Sequence, residues 1–339
     1  MGGAWFTGAL EALASETGWD PGSAERIVGT SAGAMIGGLL ASGLPPWFMV
    51  AHSGGERFEG LAGADGRAQE DADRDAGASF RLGGLPMIGP GSWRLAMRTL
   101  RSPQRHTPAA LLSGWLPRGS VSTEPLKDTV RRVVPRGWVG RDGVWIVACD
   151  YETGRRVPFG RRGAPPAEFA DAVAASCAIP GFYAPVRIGG RDYVDGGIYS
   201  PSNLDLLRDA GLDLVICLNP TSTLDEIPAT SPLQRMAAAM RGASGRRLGR
   251  EARRVRAGGA RVLLVQPTRE DVETMGPNLI SGRNRHRVVL TAARTTAERL
   301  REPEARDLLA GLPAGAPHKV VRPDGPPSSW PELAPVAPA

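Results

Sequence analysis

Gly29-Thr30-Ser31-Ala32-Gly33 reads G-x-S-x-G. Before it, Arg26-Ile27-Val28 is a short apolar run that can end a buried strand. After it, Ala34-Met35-Ile36-Gly37-Gly38-Leu39-Leu40-Ala41 is small and apolar and predicts a helix, closed by Ser42-Gly43-Leu44-Pro45. Strand, tight turn and helix in that order are the context of a nucleophile elbow. Gly29 and Gly33 let the backbone turn sharply and let strand and helix pack closely. The turn would place the Ser31 hydroxyl at a helix N-terminus, where unpaired N–H groups favour developing negative charge. With 44 glycines in the chain the pentapeptide has many chances to arise without function, so its meaning depends on what surrounds it.

Further strands are expected at Val144–Cys149, Leu214–Leu218 and Arg261–Val265. A strand pair joined by Gly189-Gly190 is expected to end at Asp195. Helices are expected at 4–13, closed by Gly18, at 47–52, after Thr123 as N-cap, at 169–176, over 232–257, where Gly242 and Gly245 are candidate breaks, and at 283–300. This alternation predicts a three-layer α/β/α sandwich with a mostly parallel central sheet. Residues 1–220 form the expected catalytic core, with an insertion at about 53–120. Residues 221–311 are expected to complete the same domain, and 312–339, rich in Pro, Gly and Ala, to be a disordered tail. Within the insertion, residues 53–80 are polar and without period. The apolar segments of 81–118 suit either a cap of short helices over a pocket or ordinary helical packing.

A hydrophobic content of 42% supports a core, and the net charge is +6. The positive charge is almost all arginine, with Lys127 and Lys319 the only lysines. Together with abundant Ala, Gly and Pro, this fits a coding bias better than a nucleic-acid partner, and no nucleic acid is expected. A basic surface would still favour anionic headgroups, and the Arg-rich helix at 232–257 reads first as a solvated face, with membrane-surface docking as the alternative. The three cysteines are an odd number in apolar contexts, which argues against a disulfide framework and for a reducing compartment. No Cys/His cluster has zinc spacing, so no metal or other cofactor is expected. No signal peptide and no run long enough to cross a bilayer is read. The expected location is the cytoplasm, with peripheral contact at the inner membrane surface as the alternative. The oligomeric state is not legible.

A serine needs a base. Of the four histidines, His52, His106, His286 and His318, none sits at a strand end before turn glycines. His286 is the best of them. Asp195 follows a strand and precedes Gly196-Gly197, so it would project from a strand end, where open α/β sheets collect their functional groups. Its bland alternative is an ordinary Asp-Gly turn.

Taken together, G-T-S-A-G, then A-S-C-A-I-P-G at 175–181, then D-G-G at 195–197 resemble the patatin-like phospholipases. The resemblance covers about residues 1–220. It implies a lipid acyl hydrolase in which Ser31 is the nucleophile, Asp195 the general base and a Ser31 ester the intermediate, with a lipid or acyl ester as substrate. It also implies an oxyanion hole with the Ala32 N–H as one donor, and Gly29, Gly33, Gly196 and Gly197 as motif glycines. Cys177, within A-S-C-A-I-P-G, reads as a packing residue. The family begins with a strand and a glycine-rich oxyanion loop. Here Gly3 aligns with the last glycine of that loop and Gly2 with its basic position, so the first strand is expected to be missing. Either the natural protein carries a further strand before Met1, or this is a weakly active or non-catalytic lipid-binding paralogue. The intact dyad residues favour the first. Acyl transfer to an alcohol would use the same dyad.

Overall fold

The computed structural model describes residues 1–53, 89–102, 107–276 and 284–314. Residues 54–88 and 103–106 of the insertion expected at about 53–120, with His106, and also His318 and nearly all of the tail, lie outside the described residues. In chain order come α1 (Gly2–Thr17), β1 (Ile27–Thr30), α2 (Ala32–Ala41), α3 (Pro46–Ser53), α4 (Trp93–Arg101), α5 (Pro108–Ser113), α6 (Glu124–Arg131) and β2 (Val144–Asp150). Then follow β3 (Arg156–Phe159), α7 (Phe169–Cys177), β4 (Val186–Ile188), β5 (Arg191–Asp195) and β6 (Leu214–Leu218). Last are α8 (Pro232–Ala257), β7 (Arg261–Val265), α9 (Arg269–Met275), α10 (Arg285–Leu300) and α11 (Pro303–Leu309).

Two compact units interleave along the chain. One holds Met1–Ala24, Gly43–Glu70 and Leu204–Ala339, the other Glu25–Ser42 and Asp71–Asn203. The last changeover falls at 203/204.

The second unit is built on β2. Its sequence, Val-Trp-Ile-Val-Ala-Cys-Asp, is buried throughout except at Trp145, as a strand covered on both faces must be. Leu95 of α4 packs with Cys149, Tyr151, Val194 and Ile198 on one face. Helices α2 and α7 pack against β1 and β2 on the other. The class is the expected α/β arrangement of a sheet with flanking helices, but the pairing is mixed. β1 joins β2 in parallel, whereas β3 and β5 pair with β2, and β4 with β5, antiparallel. The physical reason is connection length. β2 and β3 are joined by a short turn, and β4 and β5 by Gly189-Gly190, whose φ values of 53° and 80° suit a two-residue hairpin. Parallel neighbours need a crossover of a dozen residues or more.

In the first unit β6 and β7 pair in parallel. Leu214, Ile216 and Leu218 of β6 and Leu263 and Val265 of β7 pack on Trp5, Ala9 and Leu13 of α1 and on Val288, Val289 and Ala292 of α10. Burying each large side chain in such a cluster contributes about 1.5–3 kcal/mol. The helix over 232–257 runs unbroken past Gly242 and Gly245, started by a Ser231/Gln234 capping box. Its second half buries Leu248, Ala252 and Val255, and its first half is tied by Arg241, which donates to the Pro220 carbonyl at 3.1 Å. The buried Glu251 accepts from Arg247 at 2.8 Å and from the Leu204 amide at 3.1 Å. Thr123 stands at the N-cap of α6 as expected but makes no side-chain capping bond there. The Glu124 amide donates instead to the Ser122 hydroxyl.

Candidate active site

β2 has two edges and three partners. β3 pairs with Ile146–Cys149, overlapping both β1, which reaches Val147, and β5, which begins at Ala148. β1 and β5 must therefore share the opposite edge and meet head-on. Thr30 sits opposite Val147, and Asp195 opposite Ala148, the next residue. Both chains have to leave the sheet at that junction. The β5 chain leaves through Gly196. A Cβ there would lie 2.3 Å from the Val147 carbonyl oxygen and 3.2 Å from Thr30 Cγ2, so no other residue fits undisturbed.

The β1 chain leaves through Ser31, at φ 54° and ψ −125°. A non-glycine residue in that region is strained and persists only where its surroundings hold it. A Cβ at Gly29 would sit 2.5 Å from the Gly33 carbonyl oxygen, which shows how closely the strand folds back on the helix it feeds. The end of α7 holds the turn. The Ser31 amide donates to Ser176 Oγ at 2.9 Å, and Ser176 Oγ donates to the Val147 carbonyl at 2.6 Å. Cys177 Sγ donates to the Ser31 carbonyl at 3.2 Å. From the other side, Asn203 Nδ2 donates to Thr30 Oγ1 at 3.1 Å. Helix α2 then begins, with the Ala34 amide donating to the Ser31 carbonyl at 2.8 Å. Ala32 and Gly33 occupy its first turn, where amides have no partner four residues back.

Asp195 is buried. Its amide donates to the Ala178 carbonyl at 2.9 Å. Its carboxylate accepts the Gly197 amide at 2.7 Å. Burial pushes its pKa up to about 6, only partly offset by the Gly197 amide and the nearby Ser31 side chain. No cation contributes to that balance. The thiols of Cys149 and Cys177 are pushed far above their ordinary range by burial and, secondarily, by the Asp195 charge. Neither is an available thiolate at neutral pH.

The sequence model of the patatin-like phospholipases matches residues 1–208, more than half of the 339. The chain belongs to the patatin-like phospholipase family. The patatin-like domain carries with it lipid acyl hydrolysis as the general activity and lipids as the general substrate class. The matched span contains Ser31 and Asp195 together with all the residues that hold them in place.

Two of the residues that hold the Ser31 turn in this patatin-like chain, Ser176 and Asn203, escape a reading of the sequence for chemistry. Ser176 is fully buried in a helix of small residues, and a buried lone hydroxyl in such a helix is the signal that could have found it. Asn203 is buried with φ 49°. Gly2 and Gly3 lie in the first turn of α1, not in a loop, and belong to the other unit. His52 and His286 are also in that unit, where His286 Nδ1 stands 3.5 Å from Ser53 Oγ.

Proposed function

We propose that this chain hydrolyses acyl esters of lipids through a Ser31–Asp195 dyad and a covalent acyl-enzyme. The observation that carries the reading is the junction on β2, where Thr30 opposite Val147 and Asp195 opposite Ala148 bring Ser31 next to a buried carboxylate whose pKa is lifted to about 6. A carboxylate of ordinary acidity is a poor proton acceptor, and one poised near neutrality is a far better base. In the first step Ser31 Oγ attacks the ester carbonyl carbon while its proton passes to Asp195. The carbonyl oxygen becomes an oxyanion, with the Ala32 N–H as the assigned donor. Collapse breaks the bond to the alkoxide leaving group, which takes the proton from Asp195. Water then gives its proton to Asp195 and attacks the Ser31 ester. Collapse of this second intermediate returns the proton to Ser31 and releases the fatty acid.

The experiment is fluorophosphonate labelling joined to a soluble-ester assay. Labelling should be lost in Ser31→Ala and turnover in Asp195→Asn. Full turnover in Asp195→Asn with loss in His286→Ala would transfer the base to the histidine and overturn the reading.

A further inference from the structure

The second unit carries a continuous apolar face outside the site. α4 buries Leu95, Ala96 and Thr99 and turns Trp93, Leu100, Arg98 and Arg101 outward. After α5, Trp115 stacks edge-on against Trp93, ring centroids 5.8 Å apart. Leu112 lies one turn before Trp115 and Leu116, and the Leu116 side chain lies against Gly181. Ile179, also exposed, is two residues beyond Cys177, whose thiol bonds the Ser31 carbonyl. Trp93 is 59% exposed and Leu112 66%. These side chains stand on a fixed base. Ser92 caps α4 and Thr107 caps α5. The Thr107 hydroxyl donates to the Ile198 carbonyl, and the Gly91 amide to the Leu116 carbonyl at 2.7 Å. A contiguous exposed apolar face usually marks an interaction surface.

Its charge selects the partner. The sequence has no Asp or Glu from residue 76 to residue 123, and Glu124 is the next carboxylate. Arg94 pairs with Glu152. Among the described residues no ion pair is recorded for Arg98 or Arg101. Indole rings with leucines, flanked by Arg98 and Arg101 on a segment whose own sequence has no carboxylate, suit the boundary between headgroups and acyl chains of an anionic bilayer. No helix among the described residues is long and apolar enough to cross a membrane, so contact through this face would be peripheral. We propose that the outward face of α4 and α5 docks on an anionic lipid surface and brings the Ser31–Asp195 site to the bilayer. The docking itself requires no chemistry at Ser31.

The test uses the full chain carrying Ser31→Ala, so that vesicles stay intact. Its sedimentation with phosphatidylcholine–phosphatidylglycerol vesicles is compared with that on pure phosphatidylcholine vesicles. The anionic vesicles should be bound, and less so as salt rises. Adding Trp93→Ser with Trp115→Ser, or Arg98→Gln with Arg101→Gln, should each weaken binding by about tenfold or more. With Ser31 intact, those pairs should hydrolyse a soluble monomeric ester like the parent, which shows that the fold is kept. Should the tryptophan pair fail that control, Leu112→Gln with Leu116→Gln serves in its place. Vesicle binding that is absent, or unchanged in both pairs, overturns the proposal. So does a dimer in sedimentation velocity that these substitutions dissolve, since the face would then cover a second copy. Docking without ester turnover sinks only the dyad reading, and turnover without docking sinks only this one.

Discussion

The Ser176 hydroxyl accepts the Ser31 amide at 2.9 Å across 145 residues of sequence. The same hydroxyl donates to the Val147 carbonyl, so one small side chain ties the strained turn to the central strand. Ser176→Ala would leave a buried N–H and a buried C=O without partners, at a cost of about 1–3 kcal/mol. Because the turn also aims Ser31, turnover should fall by about ten- to a hundredfold with little change in KM. Urea titration and steady-state kinetics on a soluble ester check both. Unchanged turnover would show that the elbow holds its shape without this tie.

Asp195 should set the pH profile. As the proposed base it acts ionised, so kcat/KM for a soluble ester should rise through a single group near pH 6 and level off above it. A profile flat from pH 5 to pH 8, with the chain folded throughout, would mean that no base of that pKa is used.

The same carboxylate should cost stability at neutral pH. Its folded value stands above its unfolded one, so it favours the fold below the unfolded value and loses that contribution as pH rises through about 6. Asp195→Asn should therefore unfold at higher urea than the parent at pH 7, by roughly 3 kcal/mol at most for a shift from 3.8 to about 6. The gain should vanish near pH 4. An inactive variant that is also more stable separates a functional carboxylate from a structural one, whose loss would destabilise.

The two glycines after Asp195 should respond differently. Gly196→Ala drives a methyl into the Val147 carbonyl, a backbone atom that cannot swing aside. It should lose about 1–3 kcal/mol or more, or fail to fold. At Gly197 the tight neighbour is Asp195 Oδ1 at 3.0 Å, so Gly197→Ala should keep the fold and lose turnover. Thermal melts and the ester assay distinguish them, and equal stability of the two variants would contradict the head-on junction.

The cysteines should be silent in the native protein. Burial raises Cys149, Cys177 and Cys217, the last to about 12. A thiol reagent at pH 7.5 should label none of the three until urea unfolds the chain. Rapid native labelling at Cys177 would show that the thiol beside Ser31 is open and ionisable.

What the sequence by itself determined is what neighbours along the chain can encode. The small-residue run after Ser31 forms α2, Gly18 ends α1 with φ 66°, Gly189-Gly190 makes a hairpin, and α8 spans the whole Arg-rich stretch. Each follows from period, caps or turn chemistry within a few residues. Ser31 and Asp195 were legible as separate strand-end residues, and their pairing was implied only by the family resemblance that three motifs carry. The tertiary structure decided the rest. An apolar run such as Val144–Cys149 does not say which strands will join it or in which direction, because period-two alternation is the same for parallel and antiparallel pairing. Only long-range register places the ends of β1 and β5 on consecutive residues of β2. That junction forces Gly196, strains Ser31, recruits Ser176 to hold it, and buries Asp195 deeply enough to lift its pKa. The strength of a base depends on the water removed from around it, and burial of that kind is a property of the packed chain.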